Sequence, residues 1–134
     1  MNIDWLIPCR FVEVHDSLAT IVGAGIDTVW LAELPAPVQL MLAIRLVGMV
    51  EEFTPDQLHR TTTRIKDPRG QTISEVGGDF SISAESARPE YLAGVTLPAA
   101  VGFQVAEEGT YTIECEFGDA TEAIPIHVVL GQPS

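Results

Sequence analysis

Apolar and polar residues alternate along much of the chain, most regularly between Glu107 and Leu130. In the first half of this stretch one face is apolar throughout: Tyr111, Ile113, Cys115 and Phe117. A period of two is typical of a strand with one buried face. Gly118-Asp119-Ala120 has turn chemistry, and a second alternating apolar run follows: Ile124, Ile126, Val128 and Leu130. The pattern predicts a β-hairpin.

The lead into this hairpin places Glu107, Gly109 and Tyr111 at alternate positions. The arrangement is similar to the tyrosine corner of immunoglobulin-like sandwiches, where the tyrosine ring caps the core and its hydroxyl bonds to the backbone of the corner. Antibody domains have a cysteine two residues after that tyrosine, whereas this chain has Ile113, which argues against an inter-sheet disulfide. The alternative is an ordinary strand that begins with glycine and tyrosine.

The N-terminal part, from Cys9 to Leu31, has the composition of two or three short strands. His15-Asp16-Ser17 offers a tight turn and Gly23-Ala24-Gly25 a bulge or bend, so one bent hairpin is the simplest interpretation. Residues 1–8 fit either a loose lead segment or a piece that docks on the sheet through its apolar residues Trp5, Leu6 and Ile7.

The segment Val38–Met49 is ambiguous, because its leucine, methionine and alanine content suits a helix while its alternation suits a central strand. The strands around it favour β, with burial on much of both faces. The polar loop Glu51–Leu58 that follows has room for a short helical turn at Thr54 and Pro55.

A second hairpin is predicted over Thr61–Ser83, with a turn at Asp67-Pro68-Arg69-Gly70 and a bulge or bend at Gly77-Gly78. Ala84–Gly94 is interpreted as a crossing loop with one helical turn at Pro89–Leu92. Val95–Val105 returns to strand, and Pro98 favours an edge or a kink there.

Seven to nine strands with no long helix predict an all-β fold, a two-layer antiparallel β-sandwich of immunoglobulin-like type. The alternative is a jelly roll or a small barrel. The length of 134 residues suits a single domain over residues 1–134.

The chain carries 19 acidic and 7 basic residues, a formal net charge of −12. Such a charge repels phosphate backbones and anionic membrane surfaces, so neither nucleic acid nor membrane is expected as a partner. The N-terminus lacks signal-peptide features, and Arg45, Pro35 and Pro37 interrupt the apolar runs. Two cysteines, Cys9 and Cys115, do not make a disulfide framework, so a cytoplasmic protein with reduced thiols is expected.

No catalytic, cofactor-binding or metal-binding residues are predicted, because the usual nucleotide, hydrolase and Cys-x-x-Cys motifs are missing from the sequence. The histidines His15, His59 and His127 lack zinc-site spacing, and His127 is expected to face solvent. His15-Asp16-Ser17 holds the residue types of a catalytic triad, but a turn is the better interpretation. Loop carboxylates that could meet and bind calcium are Glu51, Glu52, Asp56, Glu107, Glu108, Asp16, Asp67 and Asp119.

Three segments resemble a known family: CRFVEVHDSLATIVGAGIDTVWL, RIKDPRGQTISEVGG and EEGTYTIECEFGDATEAIPIHVV. Together they look like a family of small uncharacterised bacterial domains that have no assigned activity. The resemblance covers nearly the whole chain. It implies a stand-alone β domain and brings no catalytic residues with it.

These observations favour a non-enzymatic β-sandwich that acts through protein contacts and self-associates. Apolar residues on both faces of Val38–Met49, together with Trp5 and Trp30, suggest a self-association face or strand-edge pairing between copies. One alternative is a small-ligand or cation-binding module that uses the loop carboxylates Glu51, Glu52 and Asp56. Another is a structural component of a larger particle or phage-like assembly.

Overall fold

A computed structural model describes residues 2–49, 52, 57–81 and 92–132, and nearly all regular structure in them is β-strand. The ten strands are β1 (Asn2–Cys9), β2 (Phe11–His15), β3 (Leu18–Val22), β4 (Thr28–Leu31), β5 (Ala36–Met49), β6 (His59–Lys66), β7 (Thr72–Phe80), β8 (Leu92–Val105), β9 (Gly109–Phe117) and β10 (Ala120–Leu130). The predicted all-β class is confirmed, and Val38–Met49 forms a strand within β5. Within the described residues no helix is long and apolar enough to span a bilayer.

The strands form three sheets. One has the order β1-β5-β8, a second has the order β4-β10-β9-β6-β7, and β2 pairs only with β3. All pairs are antiparallel except β4 with β10, where Thr28–Leu31 runs parallel to His127–Leu130. The expectation of a wholly antiparallel arrangement is therefore wrong at this pair.

The parallel pair arises because the chain after β3 crosses to the five-stranded sheet instead of adding a third strand to the β2–β3 hairpin. Gly23 and Gly25 have φ angles of 67° and 86°, which turn the chain after β3. The amides of Gly25 and Ile26 then donate to the carbonyl of Pro8, at 2.9 and 3.3 Å. This crossing delivers β4 to the free side of β10, so the interpretation of Cys9–Leu31 as one bent hairpin holds only for β2 and β3.

The main core lies between the three-stranded and five-stranded sheets. Its fully buried side chains come from both sheets and include Leu42, Ile44, Leu46, Ile65, Val105, Tyr111, Ile113, Phe117, Ile126 and Val128. The inward residues predicted for β9 are among them. On β10 the apolar face is buried at Ile126 and Val128, whereas Leu130 at the strand end is exposed.

A second, smaller core lies on the opposite face of the three-stranded sheet. There the inner side of the β2–β3 hairpin, with Val12 buried and Val14 and Ile21 half-buried, packs on Cys9 and Ala43. Leu42, Ala43 and Ile44 are consecutive and each is at most 1% exposed, so β5 is buried on both faces as predicted.

The N-terminal residues belong to the sheet. β1 pairs with β5 from Asn2 opposite Val47 to Cys9 opposite Met41, with a bulge between Ile3 and Trp5. Trp5 and Ile7 pack under the β2–β3 hairpin. Of the two alternatives for residues 1–8, docking on the sheet is the one observed, because these residues supply a partner strand for β5 and part of the second core.

The predicted turn at Asp67–Gly70 is confirmed, with the amide of Gly70 donating to the carbonyl of Asp67 at 2.9 Å. The predicted bulge at Gly77-Gly78 is wrong, since β7 runs unbroken to Phe80 and the register shifts instead at Ile65/Lys66. A Cβ at Gly77 would lie 2.3 Å from Nη2 of Arg60. Glycine therefore makes room for that guanidinium and does not bend the strand.

Two predicted features fall largely outside the described residues. They are the helical turn at Thr54 and Pro55 and the crossing loop that begins at Ala84. Leu92, which was assigned to the end of a second helical turn, begins β8 instead. Pro98 lies within β8, which is an edge strand of its sheet, as its proline predicts.

The tyrosine corner is present. Tyr111 is 2% exposed and its hydroxyl donates to the carbonyl of Glu107 at 2.9 Å. Burial raises the pKa of the Tyr111 phenol above its ordinary value. Gly109, between them, has a φ of 144°, and a Cβ there would lie 2.8 Å from Cγ of Pro68. The corner thus fastens the start of β9 to the turn that joins β6 and β7.

Gly109→Ala tests this packing. It should lower the free energy of unfolding by about 1–3 kcal/mol, since alanine is strained at this φ and clashes with Pro68. Gly102→Ala is the matched control, because a Cβ there has no neighbour closer than 3.7 Å. Urea unfolding measures both, and equal losses for the two variants would contradict the role given to Gly109.

Tyr111→Phe should cost about 1 kcal/mol at neutral pH, since it removes one hydrogen bond and keeps the ring. The unfolded tyrosine releases its proton above about pH 10, whereas the folded one retains it, so this residue's contribution falls as the pH rises beyond that value. The stability difference between wild type and Tyr111→Phe should therefore be constant below about pH 10 and shrink above it. Urea unfolding across the pH range provides the measurement, and a difference that grows with pH would refute the assignment.

Candidate functional site

Three of the loop carboxylates expected to bind calcium accept hydrogen bonds from nearby backbone amides. Asp67 accepts bonds from the amides of Arg69 and Gln71 at 2.9 Å, which closes its own turn. Glu108 accepts a bond from the amide of Leu130 at 2.6 Å, and Glu52 one from the amide of Met49 at 2.9 Å. Among the described residues no three His, Cys, Asp or Glu side chains converge as metal ligands. Glu51 and Asp56 lie outside these residues, so the calcium site that includes them stays a prediction.

The three histidines are far from forming a common site, each having a different local partner. Nε2 of His15 lies 2.5 Å from Oε1 of Glu13, Nδ1 of His127 lies 3.0 Å from Oγ1 of Thr110, and the ring of His59 lies 5.7 Å from that of Phe80. His127 is exposed, as predicted.

The triad-like sequence His15-Asp16-Ser17 is part of a hairpin turn. Asp16 and Ser17 have φ angles of 52° and 60°, both in the left-handed region, as a type I′ turn requires. His15 pairs with Leu18 at the end of the ladder. The turn interpretation is confirmed, because the backbone bends at these residues to join β2 to β3.

Both cysteines are free and fully buried. Cys9 donates to the carbonyl of Met41 at 3.5 Å and belongs to the second core, whereas Cys115 belongs to the main core. Burial raises the pKa of each thiol above its ordinary value. A protonated, buried thiol is a poor nucleophile, so both cysteines act as small apolar core residues.

The outer face of the five-stranded sheet carries a network of ion pairs across β7, β6 and β9. Arg64 lies between three carboxylates, at 2.6 Å from Glu116, 3.4 Å from Glu75 and 3.7 Å from Glu114. Lys66 lies 3.0 Å from Glu114. Glu116, with smaller contributions from Glu75 and Glu114, raises the pKa of the Arg64 guanidinium. The network pairs two cations with three carboxylates on one face of the sheet.

Carboxylates also accompany the other basic residues of the described ranges, with one exception. Arg45 lies 3.6 Å from Asp4, Arg60 3.5 Å from Asp79, and Arg69 3.4 Å from Glu107. Arg10 has no carboxylate within 4 Å in the described part of the chain.

The outer face of the β2–β3 hairpin carries three large apolar residues among the polar residues Glu13, His15 and Thr20. Nine large apolar side chains are exposed among the described residues, and three of them lie on this face: Phe11, Leu18 and Val22, at 49%, 73% and 54% exposure. Phe11 stands directly opposite Val22 in the ladder. The charged groups of this face, Glu13 and His15, contact each other. We call this the hairpin face.

Other surfaces expected to be apolar are partly covered. The outer face of β5 at Met41 and Ala43 lies under the hairpin, so it is not an open association face. Trp5 is half-buried in the same place, whereas Trp30 on β4 is 44% exposed. The sequence indicated exposed apolar surface at Trp30, but it did not indicate the hairpin face, and it did not show that one predicted element covers another.

Within the described residues, then, the protein is an all-β protein with two cores and with three large apolar side chains exposed on the hairpin face. Residues 4–129 match the model of a protein family, and the chain belongs to that family, which is a family of unknown function (DUF6941). This confirms the expected membership of a family without an assigned activity. No curated protein and no solved structure matches the chain.

The ion-pair network on the five-stranded sheet was missed in the sequence, although a signal was present. Thr62, Arg64 and Lys66 alternate on one strand, and Glu114 and Glu116 alternate on another. Only the register, which places Arg64 opposite Glu114 and Thr62 opposite Glu116, shows that these charges meet. Sequence spacing alone cannot provide that register.

Arg64→Gln should lower the urea midpoint of unfolding, and the loss should be larger at low salt than at high salt. The substitution leaves Glu75 and Glu116 without their cation while Glu114 keeps Lys66, and salt screens the resulting repulsion between carboxylates. Arg69→Gln is the control, because Arg69 is largely exposed and has one contact, at 3.4 Å from Glu107. Equal effects of the two substitutions, or a loss at Arg64 that does not depend on salt, would show that the network does not stabilise the sheet.

Proposed function

We propose that this protein is not an enzyme and acts through protein contacts, with a second copy of the chain bound at the hairpin face as the partner. The single observation that carries the proposal is the exposure of Phe11, Leu18 and Val22 together on one face of a two-stranded hairpin. Large apolar side chains grouped on a surface are a common property of contact sites.

The charge distribution supports a copy of the same chain as the occupant. A net charge of −12 makes most faces of two copies repel each other. On the hairpin face the charged groups are Glu13 and His15, whose side chains lie 2.5 Å apart. Because Glu13 is the one carboxylate among the paired residues of this hairpin, a second copy meets less repulsion here than at the more acidic faces, whereas a basic partner would be drawn to the acidic surfaces elsewhere.

We expect a dimer with twofold symmetry, because the same surface patch then forms the interface on both copies. In this dimer Phe11 and Val22 of one copy would pack against Phe11 and Val22 of the second copy. β2 and β3 have no other strand partners in the described residues, so their edges are also available for contacts. The hairpin has two strands of five residues each, so two such faces bury less area than a standard interface of about 1,600 Å². The association is therefore expected to be weak and reversible.

The proposal includes an immunoglobulin-like sandwich as the finer architecture, supported by the tyrosine corner and by the core shared between the two larger sheets. A barrel-like arrangement is the alternative, and the bond from Oγ of Ser74 on β7 to the carbonyl of Gly102 on β8, at 3.0 Å, supports it. The proposal further places the protein in the cytoplasm, which its two free cysteines support. Its acidity favours neither nucleic acid nor a membrane as partner.

Leu18→Ser tests the interface. Sedimentation velocity over a concentration series should show self-association of the wild type, weakened several-fold in Leu18→Ser because apolar contact area is lost. Leu58→Ser is the matched control, since Leu58 is also 73% exposed but lies outside the hairpin. A wild type that stays monomeric at every concentration, or equal weakening by both substitutions, would overturn the proposal.

A further inference from the structure

We infer that a groove beside the base of the β2–β3 hairpin binds a small organic carboxylate, with Arg10 as the anion-binding group. The groove is a cavity of about 410 Å³ lined by Arg10, Gln39, Leu40, Met41, Ala100, Val101 and Gly102. This volume lies within the range of small-molecule sites. The inference is independent of self-association at the hairpin face, because it rests on different side chains.

The walls of the groove follow from the pairing of β5 with β8. Gln39 stands opposite Gly102, and Met41 stands opposite Ala100. Leu40 and Val101 point into the main core, where they are 6% and 2% exposed, so they present mainly backbone to the groove. Glycine and alanine on β8 leave the floor open, and Met41 provides an apolar wall.

Arg10 is held in place at the edge of this groove. Its amide donates to the carbonyl of Val22 at 3.1 Å, which anchors its backbone to the end of β3. Its aliphatic stem lies against Gly23, where a Cβ would be 3.0 Å from Cγ of Arg10. Gly23 also has a φ of 67°, so glycine is needed there for conformation and for space. The aliphatic stem of Arg10 therefore packs against Gly23, and its guanidinium is available to bind an anion.

The choice of a carboxylate follows from the charges. Arg10 is the only basic residue of the described ranges without a carboxylate within 4 Å, and no acidic side chain lines the groove. A guanidinium binds a planar carboxylate through two parallel hydrogen bonds. One cation balances a monoanion, whereas a phosphate dianion would remain undercompensated in a protein of net charge −12. Met41 suits a short apolar chain attached to the carboxylate.

Nuclear magnetic resonance tests this site with hexanoate as the probe. Titration should give saturable shifts of the Arg10 Nε–H and Met41 methyl signals, with a Kd on the order of 1 mM for so small a ligand. Hexanol, which lacks the charge, and inorganic phosphate, which lacks the apolar chain, should bind at least about tenfold more weakly.

Arg10→Gln should weaken hexanoate binding about tenfold or more, and Gly102→Leu should abolish it by filling the floor of the groove. Gly102 lies within β8, and a Cβ there has no neighbour closer than 3.7 Å, so Gly102→Leu is expected to fold. Its amide NMR spectrum checks this expectation. Arg69→Gln, which changes an arginine away from the groove, should leave the Kd unchanged. Shifts that never saturate, equal binding of hexanol or phosphate, or unchanged binding in Arg10→Gln would each overturn the inference.

Discussion

The burial of β5 on both faces is the constraint on which the rest of the structure depends. Its even-numbered side chains, such as Leu42 and Ile44, enter the main core, while Ala43 enters the second core. Both faces of such a strand must be shielded from water, because each large apolar side chain that stays exposed forgoes about 1.5–3 kcal/mol of folding free energy. The five-stranded sheet covers one side and the β2–β3 hairpin covers part of the other. β1 and β8 satisfy its backbone groups from both edges.

Covering β5 with a two-stranded hairpin has a consequence for the surface. A hairpin has two faces, and only one of them can pack on the sheet beneath. Val12 is buried on the inner face, while Phe11 and Val22 remain exposed on the outer one. Arg10, which precedes β2, lines the groove together with residues of β5 and β8. Both surfaces singled out for function thus result from the way the second core is closed.

The distribution of charge sets these surfaces apart from the rest. The outer face of the five-stranded sheet holds Arg64 and Lys66 among glutamates, so the cations there are already compensated. The hairpin face carries few ionisable groups, and the groove carries one uncompensated cation in the described residues. In a protein with 19 acidic residues, these are the places where another copy or an anion meets the least repulsion.

Local patterns determined much of the fold. Alternation identified the β9–β10 hairpin, the turn at Asp67–Gly70, the edge position of Pro98 and the tyrosine corner, because each depends on residues close together in sequence. Residues 1–8 were harder to place, since a short apolar segment becomes a strand only if a partner edge is available. The bulge predicted at Gly77 is wrong, because β7 pairs with β6 in unbroken register at that residue.

The sequence by itself determined the all-β class, most strand positions and the lack of any familiar catalytic motif. Only the tertiary structure decided that β4 runs parallel to β10, that the hairpin covers β5, that Arg64 meets three carboxylates and that Arg10 meets none in the described residues. The physical reason is that alternation records which side of a strand is buried. It does not record which strand lies beside it or which element covers it, and these depend on contacts between residues far apart in the chain.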